Sequence, residues 1–317
     1  MPLPSPFHSC TSKLCRSMLW KDWAGYYAVR SYFETPDPEY FALRHAAGLI
    51  DVTPLFKYEV RGPDAGRFLA RVMVRNIAKL KVGRVTYVCW CDDDGKVVDD
   101  GTVTRIEKDR FRVTSAEPSL GWFERLRRGY DVTIEESTER IGALSLQGPN
   151  AREVLRQLTD ADLEGLAFFA YTPCRLDGVE VELTRTGYTG DLGYEIWVAR
   201  DNAESVYDRL LDAGRSHGLL PAGLDAMDAT RIEAGFIMNG VDYFSAHHCL
   251  IEPRKSSPFE LNLGWTVKLE REPFVGQAAL ERELAAGPSR RFVGLVADGG
   301  EIEERFDRYG LPPELPA

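Results

Sequence analysis

Apolar and polar residues recur along the chain with both helical and strand periods, and the two kinds of segment are interleaved. Helical spacing with capping residues predicts helices at residues 37–48, 63–72, 118–128, 149–158, 202–213, 222–234 and 277–284. Alternating or β-branched runs predict strands at residues 51–61, 84–91, 97–104, 110–115, 141–147, 180–185, 194–199, 262–269 and 291–296. Residues 1–36 and 236–258 have no clear period, and we expect the first to be irregular. A loop as long as the second is usually functional or disordered. The mixture predicts an α+β fold.

The most informative pattern is a hairpin that turns at Asp94-Gly95. Side chains alternate along a strand, so Asp99 shares an apolar face with Val97, Gly101 and Val103. Asp100 falls on the opposite, polar face. A carboxylate on an apolar face must be hydrogen-bonded, paired or functional. Asp99 is therefore the first candidate for chemistry, and a strand-end aspartate that caps a neighbouring loop is an equally good interpretation.

The same local sequence occurs twice at a strand end. Residues 62–65 read Gly-Pro-Asp-Ala and residues 148–151 read Gly-Pro-Asn-Ala, and an apolar helical segment follows each. This repetition predicts two related α+β units.

Composition narrows the class of protein. Acidic residues outnumber basic ones, 49 to 39, which gives a net charge of −10 and disfavours nucleic acid or an anionic membrane as a partner. No apolar run approaches the ~18 residues that a membrane span needs, and the N-terminus shows no secretory signal. The six cysteines contain no CxxC pair, so we expect reduced thiols in a cytoplasmic protein.

Other motifs are less specific. The turn at Gly187–Gly190 offers backbone N–H groups to an anion but matches no phosphate-binding fingerprint. Glu195 is a second candidate buried acid, although a solvent-facing strand glutamate is the more common case. The pair His247-His248 lacks a third ligand at helpful spacing, so we expect no metal site. Asp228 and Arg231 have the spacing of an intrahelical ion pair.

Seven segments in order along the chain resemble the aminomethyltransferase family, which comprises the T-protein of the glycine cleavage system and its folate-dependent relatives. They lie between about Tyr40 and Val296, and they are Gly48–Thr53, Gly95–Asp100, Leu146–Ala151, Arg185–Ile196, Gly223–Gly235, Leu263–Thr266 and Phe274–Gly276.

The resemblance implies linked α+β domains around a central channel for tetrahydrofolate. It implies a discontinuous first domain (residues 1–51 and 141–240), a second domain with Asp99 (52–140), and a linker with a partial C-terminal β domain (241–317). The chain ends at Ala317 without the family's Ser-Gly-x-x-Ser-Pro segment, so the expected C-terminal β-barrel is incomplete.

The resemblance also assigns site residues. Asp99 matches the acid that orients folate N5, the atom that accepts the one-carbon unit. The matching cofactor contacts are Tyr87, Thr114, Tyr188, Glu195 and Met227. Two of these depart from the family pattern, because Met227 replaces an arginine that contacts folate and Thr114 replaces an asparagine. Residues 243–258, near the expected donor entrance, are longer than in the glycine cleavage protein.

These expectations lead to a tetrahydrofolate-dependent transferase that moves a methyl or methylene group from a donor to folate N5. The donor is a small molecule or a lipoyl carrier protein. Within the same class, the alternative is a demethylase of a methoxy, methylthio or N-methyl compound. From another class, the alternative is a non-catalytic folate-binding protein, whose branch carries a cysteine motif that is missing around Arg185–Asp191.

Overall fold

A computed structural model describes residues 1–312 of the chain. The N-terminal segment begins with helix α1 (His8–Leu14) and a hairpin of β1 (Leu19–Trp23) and β2 (Tyr26–Ser31). The prediction that residues 1–36 are irregular is therefore wrong. The remaining elements are α2 (Asp37–His45), β3 (Ala47–Asp51), β4 (Phe56–Arg61), α3 (Ala65–Val72), β5 (Arg84–Cys91), β6 (Val97–Glu107), β7 (Arg110–Ser115), α4 (Leu120–Leu126), β8 (Thr133–Glu136), β9 (Ile141–Gln147), α5 (Ala151–Arg156), β10 (Tyr171–Leu176), β11 (Val179–Thr184), β12 (Gly193–Ala199), α6 (Ala203–Gly214), β13 (Leu219–Pro221), α7 (Leu224–Glu233), α8 (Gln277–Ala286) and α9 (Gly299–Arg308).

Two larger sheets organise these elements into an α+β fold. Five strands form one sheet in the order β5-β6-β7-β4-β8, and six form the other in the order β10-β11-β12-β9-β3-β13. All pairs in the five-stranded sheet are antiparallel, and in the six-stranded sheet only β13 and β3 run parallel. Each sheet has its own apolar core with helices against it. The division of the chain into domains stays a prediction.

The repeated turn occurs in both sheets, as predicted. Gly62 follows β4 and precedes α3, while Gly148 follows β9 and precedes α5. Both glycines have positive φ, 134° and 118°, and each lies against a neighbouring backbone, where a Cβ would collide with a carbonyl oxygen. Glycine is needed there for both reasons.

The structure corrects the predictions for the C-terminal part. No strand follows β13 within residues 1–312, so the strands predicted at 262–269 and 291–296 are wrong. Residues 264–266 form a single 3₁₀ turn instead, whereas the predicted helix near residue 277 is confirmed as α8. Strand-like sequence alone does not form a strand without a partner for its backbone groups. The residues after 312 lie outside the described part.

Gly101 is a point of close contact within the five-stranded sheet, and it supports a stability prediction. A Cβ at this position would lie 1.9 Å from the carbonyl oxygen of Thr114 on β7. We expect Gly101→Ala to lower the free energy of unfolding by about 2 kcal/mol, because backbone must shift to admit the methyl group. Urea denaturation measures this change.

The matched control is Gly121→Ala in α4, where no atom lies within 4 Å of the added Cβ. This variant should be neutral or slightly stabilising, because alanine is the better helix former. Equal effects at the two glycines would contradict the packing argument.

Candidate functional site

Asp99 lies on β6 and is fully enclosed, with 0% of its surface exposed. One carboxylate oxygen accepts hydrogen bonds from the backbone N–H of Asp100 (2.9 Å) and from the side-chain amide of Asn239 (2.8 Å), and the hydroxyl of Tyr243 lies 3.4 Å away. The other oxygen accepts from the backbone N–H of Glu117 at 2.9 Å. Its expected place on the apolar face is confirmed, since it pairs with the buried Trp90 of β5.

Asp100 lies on the opposite face of β6, and sequence reasoning assigned it no role. One of its oxygens accepts a hydrogen bond from Tyr87 at 2.7 Å, and the other accepts from the hydroxyl of Tyr243. Asp100 is only half-buried, as is Tyr87. Tyr243 therefore links the enclosed carboxylate of Asp99 to the carboxylate of the half-buried Asp100. In the sequence, the only indication that Asp100 differs from Asp99 was the strand alternation, which places the two neighbouring acids on opposite faces.

The surroundings raise the pKa of both carboxyl groups. Burial and, to a smaller extent, the negative charge of Asp100 raise the pKa of Asp99 to about 7. The hydrogen bonds from Asn239 and from two backbone N–H groups lower the pKa of Asp99, but by less. Burial also raises the pKa of Asp100, against the effect of the two tyrosine hydroxyls. Perturbed, interacting acids of this kind are concentrated at functional sites.

Asn239 and Tyr243 come from the loop after α7, whose position is fixed by Arg231. The guanidinium group of Arg231 is ion-paired with Asp228 (2.6 Å) and with Asp242. It also donates to the carbonyl of Phe236 at 3.0 Å. The predicted ion pair between Asp228 and Arg231 is confirmed, and its wider effect is to hold this loop against β6.

Tyr188 contacts the same loop. Its hydroxyl donates to the carbonyl of Ile237, and its ring stacks on Phe236 with centroids 5.7 Å apart. Burial raises its pKa, and the negative charge of Asp100 contributes to the shift. Tyr188 is therefore close enough to the acid pair to belong to the same site.

The other three predicted folate contacts, Thr114, Glu195 and Met227, are each held by residues outside the acid pair. Thr114 is buried on β7, where its hydroxyl accepts from the backbone N–H of Thr102 at 3.0 Å. Glu195 accepts from the hydroxyl of Thr186 at 2.5 Å, and burial raises its pKa. Met227 is buried in an apolar cluster that Tyr188 also contacts. Their roles as folate contacts stay predictions.

The histidine pair has a structural explanation. His247 packs edge-on against Trp122, with ring centroids 4.5 Å apart. Within residues 1–312 no three histidine, cysteine or acidic side chains are grouped as metal ligands. In the same part of the chain, no helix has the length and apolar character to cross a membrane.

The site thus combines oxygen acceptors with flat aromatic surfaces. Asp100 is half-buried and offers carboxylate oxygens as acceptors, and the rings of Tyr87, Tyr188 and Phe236 lie nearby. Carboxylates accept N–H donors in pairs, and aromatic rings stack on planar heterocycles. This arrangement fits a flat ligand that carries adjacent N–H groups.

Comparison with known proteins supports one family. The family model described as "GCVT N-terminal domain" matches residues 11–271. An aminomethyltransferase of Halothermothrix orenii is 35% identical over 278 residues, which span 86% of this chain and 74% of that protein. A trimethylamine-oxide aldolase of Ruegeria pomeroyi is 37% identical over 276 residues, which span 83% of this chain but 34% of that protein. The crystal structure of the glycine cleavage system aminomethyltransferase T from Bartonella henselae superposes with a TM-score of 0.81 at 26% identity, covering 92% of this chain and 77% of that one.

Proposed function

Because the chain belongs to the GCVT family, we propose that the face of the hairpin with Tyr87 and Asp100 binds tetrahydrofolate, with Asp99 behind it. The protein is an enzyme, a tetrahydrofolate-dependent one-carbon transferase. The observation that carries the proposed site is the cluster in which Tyr243 joins Asp99 to Asp100.

The hydrogen-bonding groups of the proposed site match those of the folate ring system. A reduced pterin carries several N–H groups, and Asp100 provides a half-buried carboxylate that can accept from them. Tyr87 holds one oxygen of this carboxylate in place through its hydroxyl. When bound, tetrahydrofolate supplies the nitrogen that forms the new bond to the one-carbon unit.

The residues of this chain would orient the bound folate and set the charge next to it. Asp99 accepts hydrogen bonds from three different segments, at Asp100, Glu117 and Asn239, and so ties the loop after α7 to β6. We propose that it acts on the ligand through Tyr243 and Asp100, since Asp99 itself is enclosed. Fixed alignment of a nucleophilic amine with a carbon electrophile accounts for much of the rate gain in such reactions.

The donor is proposed from the relatives. Relatives named aminomethyltransferase, and a structural match from a glycine cleavage system, support an aminomethyl group on a lipoyl carrier protein as the donor. The similarity to a trimethylamine-oxide aldolase supports a second candidate, a small N-methylated amine. Met227, in place of the family's arginine, is consistent with an altered donor or folate position.

One experiment separates these donors. The purified protein is incubated anaerobically with tetrahydrofolate and either an aminomethyl-lipoyl carrier or methylated amines, and the folate products are separated by chromatography. We expect one-carbon-substituted tetrahydrofolate with one donor class only. Formation of no substituted folate with either class would contradict the proposed transfer.

Cellular location also remains a proposal. All six cysteines are free thiols, and four of them are buried. Thiols without disulfide partners are typical of reducing compartments. This supports a cytoplasmic location.

A further inference from the structure

Arg75 lies beside the proposed folate face, at the outer edge of β5. The segment that carries it runs along this edge, because Met73 forms a bridge with Trp90 and Val74 donates to the carbonyl of Cys89 at 3.1 Å. The Nη1 atom of Arg75 donates to the hydroxyl of Thr86 at 2.5 Å and lies 3.3 Å from the carbonyl of Tyr87. The cation is thereby fixed next to a residue of the site.

The charge of Arg75 is not neutralised within residues 1–312. No carboxylate of this part of the chain forms an ion pair with it, and its Nε and Nη2 atoms make no hydrogen bond there. The side chain is half-buried, and burial lowers its pKa. A guanidinium group with two free donor atoms can bind a carboxylate through a bidentate pair of hydrogen bonds.

Trp265 extends this arrangement with an exposed aromatic surface. Its side chain is 54% exposed, which is unusual for so large an apolar residue. The guanidinium carbon of Arg75 lies 5.3 Å from its ring centroid. The ring of Tyr87 stacks on it with centroids 6.0 Å apart and planes inclined by 23°.

These groups are connected by pairwise contacts. Asp100 accepts a hydrogen bond from the hydroxyl of Tyr87, and its carboxylate has further acceptor positions for N–H donors. The ring of Tyr87 stacks on that of Trp265, and the cation of Arg75 lies against the Trp265 ring and near the carbonyl of Tyr87. Folate carries the matching groups, with a pterin that donates N–H groups, a benzoyl ring and a glutamate that carries two carboxylates.

We propose that Arg75 binds a carboxylate of the glutamyl tail of tetrahydrofolate, while Trp265 packs against the benzoyl ring. This inference rests on the proposed folate site. It assigns recognition of the tail to a residue that is not among the seven segments of family resemblance. A longer glutamyl tail, with one further carboxylate per residue, would then bind at least as tightly.

The test compares two ligands by anaerobic calorimetry, tetrahydrofolate and tetrahydropteroate, which lacks the glutamate. We expect the wild-type protein to bind tetrahydrofolate at least about tenfold more tightly, because a charge-assisted hydrogen bond is lost with the tail. In Arg75→Ala the two ligands should bind with nearly equal affinity. Arg75→Lys should restore part of the difference through charge alone.

Arg67→Ala is the matched control. Arg67 is exposed and paired with Asp64 at 2.8 Å, so its loss removes one positive charge away from the site. This variant should keep the full preference for tetrahydrofolate. A similar loss of preference would show a general effect of charge and would overturn the inference.

The outcomes separate the inference from the function on which it rests. Wild-type binding of both ligands with equal affinity would overturn the role of Arg75 and leave the folate site intact. Equal weakening of both ligands in Arg75→Ala would show a structural role and would also overturn it. Failure of the wild-type protein to bind either ligand would overturn the folate site together with the inference.

Discussion

Replacing Asp99 by asparagine is expected to lower turnover roughly 100-fold or more, with the affinity for tetrahydrofolate changed only a few-fold. The substitution keeps the shape of the side chain but removes its negative charge. One of the two carboxylate oxygens would be replaced by an NH₂ group, which is a hydrogen-bond donor. It would then face another donor, either the backbone N–H of Glu117 or the side-chain amide of Asn239. In this account Asp99 makes no contact with the ligand. The substitution should therefore disturb the orientation of bound tetrahydrofolate and leave its affinity nearly unchanged.

Steady-state kinetics with tetrahydrofolate, together with calorimetry, measure the two effects separately. Asp100→Asn should weaken folate binding as well as turnover, because in this account Asp100 accepts hydrogen bonds from the folate itself. Asp93→Asn, an exposed acid at the turn of the same hairpin, is the control and should change neither. Unchanged turnover in Asp99→Asn would remove Asp99 from the mechanism.

The stability of the protein should depend on pH through the same residue. An aspartate has a pKa of about 4 when unfolded, whereas burial and the nearby charge of Asp100 raise the pKa of Asp99 to about 7 in the folded protein. Because the folded-state pKa is raised, the contribution to stability is complete below pH 4 and is lost as the pH rises to about 7. Each pH unit between the two values costs about 1.4 kcal/mol.

Urea denaturation of the wild-type protein and of Asp99→Asn, at several values of pH, isolates this contribution. From pH 5 to pH 8 the wild-type free energy of unfolding should fall by roughly 3 kcal/mol relative to that of the variant. Asp93→Asn should show no such trend, since Asp93 is exposed. The difference in free energy of unfolding between the wild-type protein and Asp99→Asn could instead stay constant with pH. That result would mean that Asp99 is ionised in the folded protein as easily as in the unfolded chain.

The sequence predicted the elements that local rules determine. The hairpin at Gly95 and the two helices after Gly62 and Gly148 form as expected, because turn residues and strand alternation act over a few positions. The burial of Asp99 followed from the same alternation. The N-terminal hairpin was missed because polar and charged residues interrupt the alternation of β1.

The parts that were missed depend on contacts between distant segments. Tyr243 reaches Asp100 across 143 positions, and Asn239 reaches Asp99 across 140. Their loop has no period of its own, and its position depends on the ion pairs of Arg231. The strands predicted near residues 265 and 293 failed for the complementary reason, since a strand needs a partner that local sequence does not reveal.

The most direct test of the account is anaerobic calorimetry of tetrahydrofolate binding to the wild-type protein and to Tyr87→Ala. The wild-type protein should bind in the micromolar range, about −8 kcal/mol, and the variant at least about tenfold more weakly because it loses both the hydroxyl on Asp100 and a stacking surface. Absence of wild-type binding, or equal affinity in the two proteins, would contradict the placement of folate on this face.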